Sequence, residues 1–206
     1  MELVFVRHGR PVHLENVAGA ADPPLADVGH EQAARVGAWL TTAGIDALYS
    51  SPMQRAMQTA APFAEAAGME MHIREHLREF DHEDSSYIPT EVLKETDPVA
   101  YQEMISNGFV SEGFDPAQFR RDVVAEVDRI VADHRGQRVA VVCHGGVINA
   151  YLGHCLDFPW DDYMRFDVDY SSISRVFVSS RLQRSIASVN ERPHFERHQH
   201  LAVRGH

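Results

Sequence analysis

Two apolar runs, far apart in the chain, share one ending. Val4-Phe5-Val6 breaks at Arg7-His8-Gly9, and Val139-Ala140-Val141-Val142-Cys143 breaks at His144-Gly145-Gly146. Both runs are short, unbroken and rich in β-branched residues. They read as strands buried on both faces, as in a parallel sheet. In open α/β sheets the carboxyl ends of such strands are where ligands bind. The pattern predicts neighbouring strands that each deliver an imidazole to one place.

Between these runs the period becomes helical. Ala33, Val36 and Leu40 form an inner stripe that begins near Asp27, a candidate N-cap, and stops before Gly44. Ile45 to Tyr49 reads as a short strand. Ser51 and Pro52 suit the cap and first position of a helix that runs toward Gly68, bent or interrupted at Pro62. Arg55 then sits in the first turn, where free N–H groups and the helix dipole favour an anion. Met69 to Ile73 is a weak strand. Residues 80–97 are acidic with little periodicity. Asp97-Pro98 and Asp115-Pro116 each read as a cap followed by proline. The first opens a short helix ending at Gly108. The second opens a helix with the stripe Phe119, Val123, Val127, Ile130, closed by Gly136. Val147, Ile148, Tyr151 and Leu152 mark a helix after His144. Residues 173–178 and 185–189 alternate as a half-buried antiparallel pair would.

The fold class implied is α/β: three layers, α/β/α, with a mostly parallel central sheet and an antiparallel edge strand. No internal repeat or linker divides the 206 residues, so one domain spans them, with a polar tail from residue 191. Hydrophobic content of 44% and charged content of 24% are ordinary for a globular protein. The net charge of −11 argues against nucleic acid or an anionic membrane as partner. Two cysteines imply no disulfide framework, and no apolar segment suggests a leader or a membrane span, so the cytoplasm is the default. An anionic ligand needs a local cationic pocket. Lys94 is the only lysine, and arginine is the better bidentate grip for phosphate.

The motif Arg7-His8-Gly9 resembles the histidine phosphatase superfamily, which includes cofactor-dependent phosphoglycerate mutases and phosphomonoesterases. Further matching blocks follow in order. They are Pro24-Leu25 before Gly29 to Ala33, Ser51-Pro52-Met53-Gln54-Arg55-Ala56 with Thr59-Ala60, Leu77-Arg78-Glu79, and His144-Gly145-Gly146-Val147-Ile148. Ser171 to Ser174, Asn190 and His194-Phe195 complete the set. The resemblance implies that the two histidines face one phosphate. His8 would be the nucleophile, forming a phosphohistidine. Arg7 and Arg55 would hold the non-bridging oxygens, with His144 as a further, protonated donor. Glu79 would protonate the leaving oxygen and then activate water. The family's Trp-Glu-Gly context is absent. Phe80-Asp81-His82-Glu83-Asp84 stands there instead, so Asp81 and Glu83 remain alternatives. Arg10, Asn16 and Gly145 form the candidate substrate-binding set. The register after Gly9 departs from the mutase pattern, which favours plain loop residues for Arg10 and Asn16. No metal or cofactor is implied, because fixed cations can supply the charge.

Cys143 is not a phosphatase nucleophile, because position 149 in a Cys-x5-Arg pattern is Asn149. Strand alternation turns it to the core if His144 faces the site. Tail histidines His194, His198 and His200 read as solvated. The favoured activity is hydrolysis of a small phosphomonoester. A mutase-type phosphotransferase and a non-catalytic phospho-ligand-binding module are the alternatives. Mutases resemble the chain in its core but carry extra cations over the site. Here, between Arg78 and Arg120, Lys94 is alone among many carboxylates. Phe80, Tyr87, Phe109 and Phe114 in that segment suit a sugar, nucleoside or aromatic leaving group. A homodimer paired through the C-terminal strands is possible.

Overall fold

A computed structural model describes residues 1–108, 113–162, 164–196 and 199–201. Six strands form one sheet in the order β3-β2-β4-β1-β5-β6. They are β1 (Glu2–Arg7), β2 (Ala47–Ser50), β3 (Met71–Ile73), β4 (Arg138–Cys143), β5 (Ile173–Val178) and β6 (Arg184–Glu191). The first four in space run parallel; β5 pairs antiparallel with β1, and β6 antiparallel with β5. The apolar runs of the sequence are the two central strands, buried along almost all their length. Ile45 lies outside its predicted strand, and β3 keeps only three residues.

Strand alternation sorts the side chains into two cores. Leu3, Phe5, Val139, Val141 and Cys143 face one way, onto α5 (Pro116–Asp133) and α6 (Gly145–Cys155). Val4, Val6, Ala140 and Val142 face the other way, onto α1 (Asp27–Thr42) and α2 (Gln54–Ala67). Cys143 thus faces the core, and burial pushes its thiol pKa far up.

The predicted helices form, with altered starts. Asp27 is the first residue of α1 rather than its cap, because Ala26 N–H is already held by Arg10 O at 3.0 Å. Ser51 does not cap α2. The helix starts at Gln54, whose N–H bonds to Asp22 Oδ1 at 3.0 Å from a distant loop. Pro62 lies within an α2 that runs unbroken to Gly68, which adopts φ +59°. Asp97 and Asp115 cap α4 (Pro98–Ser106) and α5 as predicted, each accepting at 3.0 Å from the third residue on.

Two expectations need correction. The acidic stretch holds a further helix, α3 (Thr90–Thr96), which buries none of its residues and so leaves no periodic stripe to read. The tail is not simply solvated either. Phe195 and Leu201 are buried, and Gln32 Nε2 of α1 donates to Leu201 O at 2.7 Å. Burial lowers the His194 pKa to about 4, whereas His200 is exposed and His198 lies outside the described residues. Two apolar residues among many charges set this docking, and composition hid them. No described helix is long and apolar enough to cross a membrane.

Candidate active site

Parallel register brings the site together. Val6 pairs with Val142, and Val142 with Ser50, so the three strands end level. The chain leaves them as His8, His144 and Ser51. His8 N–H donates to Cys143 O at 2.9 Å, and Ser51 N–H to Val142 O at 3.0 Å. The two imidazole rings stand 5.0 Å apart, both buried. Residues separated by 136 positions therefore share one floor because their strands are neighbours.

The tautomer of His8 follows from its partners. Nδ1 lies 2.8 Å from Gly9 O, and a carbonyl can only accept, so Nδ1 carries the proton. Nε2 then presents a lone pair, toward which Arg55 Nε–H donates at 3.3 Å. Burial, and after it Arg55 and Arg7, hold the His8 pKa well below its ordinary value. The lowered pKa favours a neutral ring, and His8 lines the cleft. His144 Nε2 pairs with Ser51 Oγ at 2.8 Å, while its buried Nδ1 has no partner among the described residues. The same three influences, burial first, depress its pKa too, with His8 adding to them. The resemblance implies a protonated His144; in this geometry, burial first and then its charged neighbours favour the neutral ring.

Arg55 is fully buried in the first turn of α2, as its position predicted. Its Nη2 lies 3.5 Å from Asp81 Oδ1, and its face covers the Tyr87 ring at 4.6 Å. Arg7 donates to Val168 O and lies 4.3 Å from the Tyr170 ring centroid. Arg7 Nε and Arg55 Nη1 are buried with no hydrogen-bond partner among the described residues. Buried donors of that kind carry a desolvation cost and are normally satisfied, so they mark a place built for an anion. Thr59 braces the floor, accepting from Gly9 N–H at 2.9 Å and donating to Arg55 O at 2.6 Å.

Glu79 is buried against the start of α6. Its Oε2 accepts from Gly146 N–H at 2.8 Å and its Oε1 from Phe80 N–H at 3.2 Å. Burial, then repulsion from Asp81, raises its pKa to about 7. Asp81 is also raised, chiefly by burial, but it stands against Arg55, which favours its ionised form. Glu83 is exposed and does not line the cleft.

The cleft holds about 680 Å³. Arg7, His8, Arg55, Glu79 and Gly145 line it, so five predicted site residues converge. His144 lies beneath, ring to ring with His8. Two substrate-binding expectations are not met in this geometry. Asn16 is an exposed residue at φ +51°, its N–H held by Ser86 Oγ at 2.9 Å. Arg10 points to Glu91, with Nε 2.7 Å from Oε1, and is not part of the lining. Of the predicted lid aromatics, Phe80 and Tyr87 line the cleft, Phe114 packs on Phe80 and Phe119, and Phe109 lies outside the described residues. Tyr170 and Asn149 were not anticipated. Asn149 ties the α6 start to the 166 loop, accepting from Phe166 N–H at 2.8 Å. Neither carries a local pattern beyond its own identity.

Comparisons with known proteins bear on the family and the fold. A probable phosphoglycerate mutase, GpmB, from Yersinia enterocolitica is 28% identical over 181 residues, covering 85% of this chain and 84% of its own. Among solved structures, a His-to-Ala mutant of phosphoserine phosphatase from Entamoeba histolytica, in complex with phosphoserine, superposes with a TM-score of 0.73 at 21% identity, covering 94% of this chain and 98% of that one. A mycobacterial glucosyl-3-phosphoglycerate phosphatase complexed with VO3 has a TM-score of 0.73 at 20% identity, with coverage of 93% and 99%. At such identities the structural likeness concerns the fold. The sequence model of the histidine phosphatase superfamily (branch 1) matches residues 3–191, and the chain belongs to that superfamily.

Proposed function

We propose that the protein hydrolyses a small phosphomonoester through a phosphohistidine at His8, without a metal ion. The observation that carries this reading is the orientation of His8. Its Nε2 carries the lone pair of a neutral ring, engaged only by a long contact from Arg55 Nε–H, and it sits beside two buried guanidinium groups, each with an N–H that has no hydrogen-bond partner among the described residues. A neutral imidazole attacks phosphorus from Nε2; the phosphorus–oxygen bond to the alcohol breaks in line. Arg7 and Arg55 bind the non-bridging oxygens and offset the charge that develops on them. His144 Nδ1 joins them, and the arriving dianion raises its pKa toward the protonated form.

Glu79 supplies the proton that the departing alkoxide needs. Its pKa near 7 keeps a protonated fraction at neutral pH. Once ionised, it takes a proton from the water that cleaves the phosphohistidine, regenerating His8 and inorganic phosphate. Burial first, and then like-charge repulsion from Asp81, which is held against Arg55, favour the protonated Glu79 carboxyl.

Hydrolysis is favoured over mutase chemistry because Asp84, Glu103 and Asp167 line the outer cleft, while Arg7 and Arg55 are its only arginines or lysines among the described residues. The GpmB relatives make the mutase the second reading. A panel of phosphorylated metabolites with p-nitrophenyl phosphate tests both. The expected result is phosphate release that persists in EDTA, is blocked by vanadate and is lost in His8→Ala. Conversion of 3-phosphoglycerate to 2-phosphoglycerate with added 2,3-bisphosphoglycerate would favour the mutase. Equal inactivity of wild type and His8→Ala across the panel would favour a binding module.

A further inference from the structure

Arg10 follows directly on the Arg7-His8-Gly9 turn, and its backbone is clamped. Its N–H donates to Gln32 Oε1 at 2.8 Å, and a side chain at Gly29 would place Cβ 2.1 Å from its carbonyl oxygen. The point from which its side chain leaves is therefore set by the fold, and that side chain ends on a carboxylate. Glu91, near the start of α3, holds Arg10 Nε through Oε1 at 2.7 Å. Its Oε2 accepts from Tyr170 O–H at 3.3 Å. The Tyr170 ring in turn packs 4.3 Å from the Arg7 guanidinium and 5.8 Å from the His8 ring. Arg10 thus stands one carboxylate and one phenol away from the phosphate floor, with its charge cancelled.

Among the described residues that line the cleft, no other arginine or lysine replaces that charge. Lys94 lies over the Tyr101 ring at 5.4 Å. Glu91 is half-buried on a helix that fully buries none of its residues, and both of its carboxylate oxygens are engaged, one by Arg10 and one by Tyr170.

We propose that Glu91 is a specificity-determining residue. By pairing with Arg10 it leaves the pocket, among the described residues, no arginine or lysine beyond the two that grip phosphate, so the site selects phosphomonoesters whose alcohol half carries no second anion. This rests on the reading of the cleft as a phosphomonoester site. Removing the Glu91 charge exposes a unit of positive charge near the cleft. A second anionic group on the ligand then gains about five- to ten-fold in affinity.

Glycerol 3-phosphate and 3-phosphoglycerate make a matched pair, differing by a hydroxymethyl group against a carboxylate. Calorimetric binding of both to the His8→Ala protein, which cannot form the phosphohistidine, reads selection without turnover. The expected preference for glycerol 3-phosphate is about ten-fold or more. Adding Glu91→Gln, which keeps the hydrogen-bonding shape, should shrink that preference at least about five-fold. Adding Arg10→Ala to it should restore the preference. A Glu91 that only braces the lid would weaken both ligands alike and leave their ratio unmoved, which would overturn the proposal. Equal or tighter binding of 3-phosphoglycerate to His8→Ala, or no binding of either ligand, would overturn it too. Should His8→Ala fold poorly, His8→Asn serves in its place. Turnover of p-nitrophenyl phosphate by wild type tests the phosphatase reading separately. Its failure with the binding ratios intact would remove the hydrolysis and leave the selection by Glu91.

Discussion

The floor of the cleft and its lid are built by opposite rules. The floor comes from residues at the ends of β1, β2 and β4, locked by backbone pairing and packed between two cores. His8, Arg55 and His144 are almost wholly buried; strand register places the two histidines, and the first turn of α2 places Arg55. The lid, residues 80–108, carries α3 and α4, of which only Tyr101 is buried, and is rich in carboxylates. It is tied to the rest by short-range devices: the Leu14–Tyr87 bridge, the Arg10–Glu91 pair and the Tyr87 ring under Arg55. On the proposed reading, the groups that handle phosphate sit at the sheet's strand ends and the adjoining helix start, and the lid that would meet the rest of the substrate lies outside the two cores. A chain can therefore change its substrate by changing the lid without disturbing the floor.

Substitutions can break this division. The largest effect belongs to the floor: His8→Ala should lower kcat/KM by at least about 10⁴-fold, because no other group can take the phosphoryl. Arg55→Ala should cost about 10²–10³-fold through lost charge stabilisation, measured as kcat/KM on any phosphomonoester.

Glu79→Gln follows and depends on the leaving group. An alkyl phosphate should lose about 10²–10⁴-fold, and p-nitrophenyl phosphate much less, because nitrophenolate departs without a proton. The pH profile gives the same answer from the wild type. Glu79 donates only when protonated and its pKa is raised to about 7, so kcat/KM on an alkyl phosphate should fall as pH rises through about 7. That limb should vanish in Glu79→Gln. The lowered His8 pKa keeps the nucleophile neutral below 6.5, so acidification through 6.5 should cause no matching loss. A fall there would contradict the neutral imidazole.

The smallest effects concern stability. Ile130, buried in the core beneath the floor, should cost about 2–5 kcal/mol as Ile130→Ala. Ile105, 41% exposed on the lid, should cost within about 0.5 kcal/mol as Ile105→Ala. Chemical denaturation compares the two. Similar losses would mean that the lid shares the core's cooperativity.

The same division explains what the sequence made legible. Strand ends announce themselves, because an apolar run that stops at Arg-His-Gly or His-Gly-Gly can be seen locally. Register then does the long-range joining of His8 to His144. Arg55 was legible from its helix-start context, although the cap was supplied by Asp22 rather than Ser51. The lid was not legible. An exposed helix such as α3 has no buried stripe, and the fate of Arg10 turned on Glu91, 81 positions away. Tyr170 became part of the site through its ring packing on Arg7, which no spacing in the sequence encodes. Glu79 was readable as a carboxyl in a matching block. Its altered acidity needed the burial and the Asp81 neighbour that only the fold provides.

The central claim is that His8 carries the phosphoryl group. Rapid acid-free quenching of the enzyme with a ³²P-labelled phosphomonoester, followed by alkaline digestion and peptide mapping, reads it directly. The account predicts alkali-stable, acid-labile label on the peptide that contains His8, absent from His8→Ala. Turnover without any labelled protein, or label on a peptide that lacks His8, would contradict it.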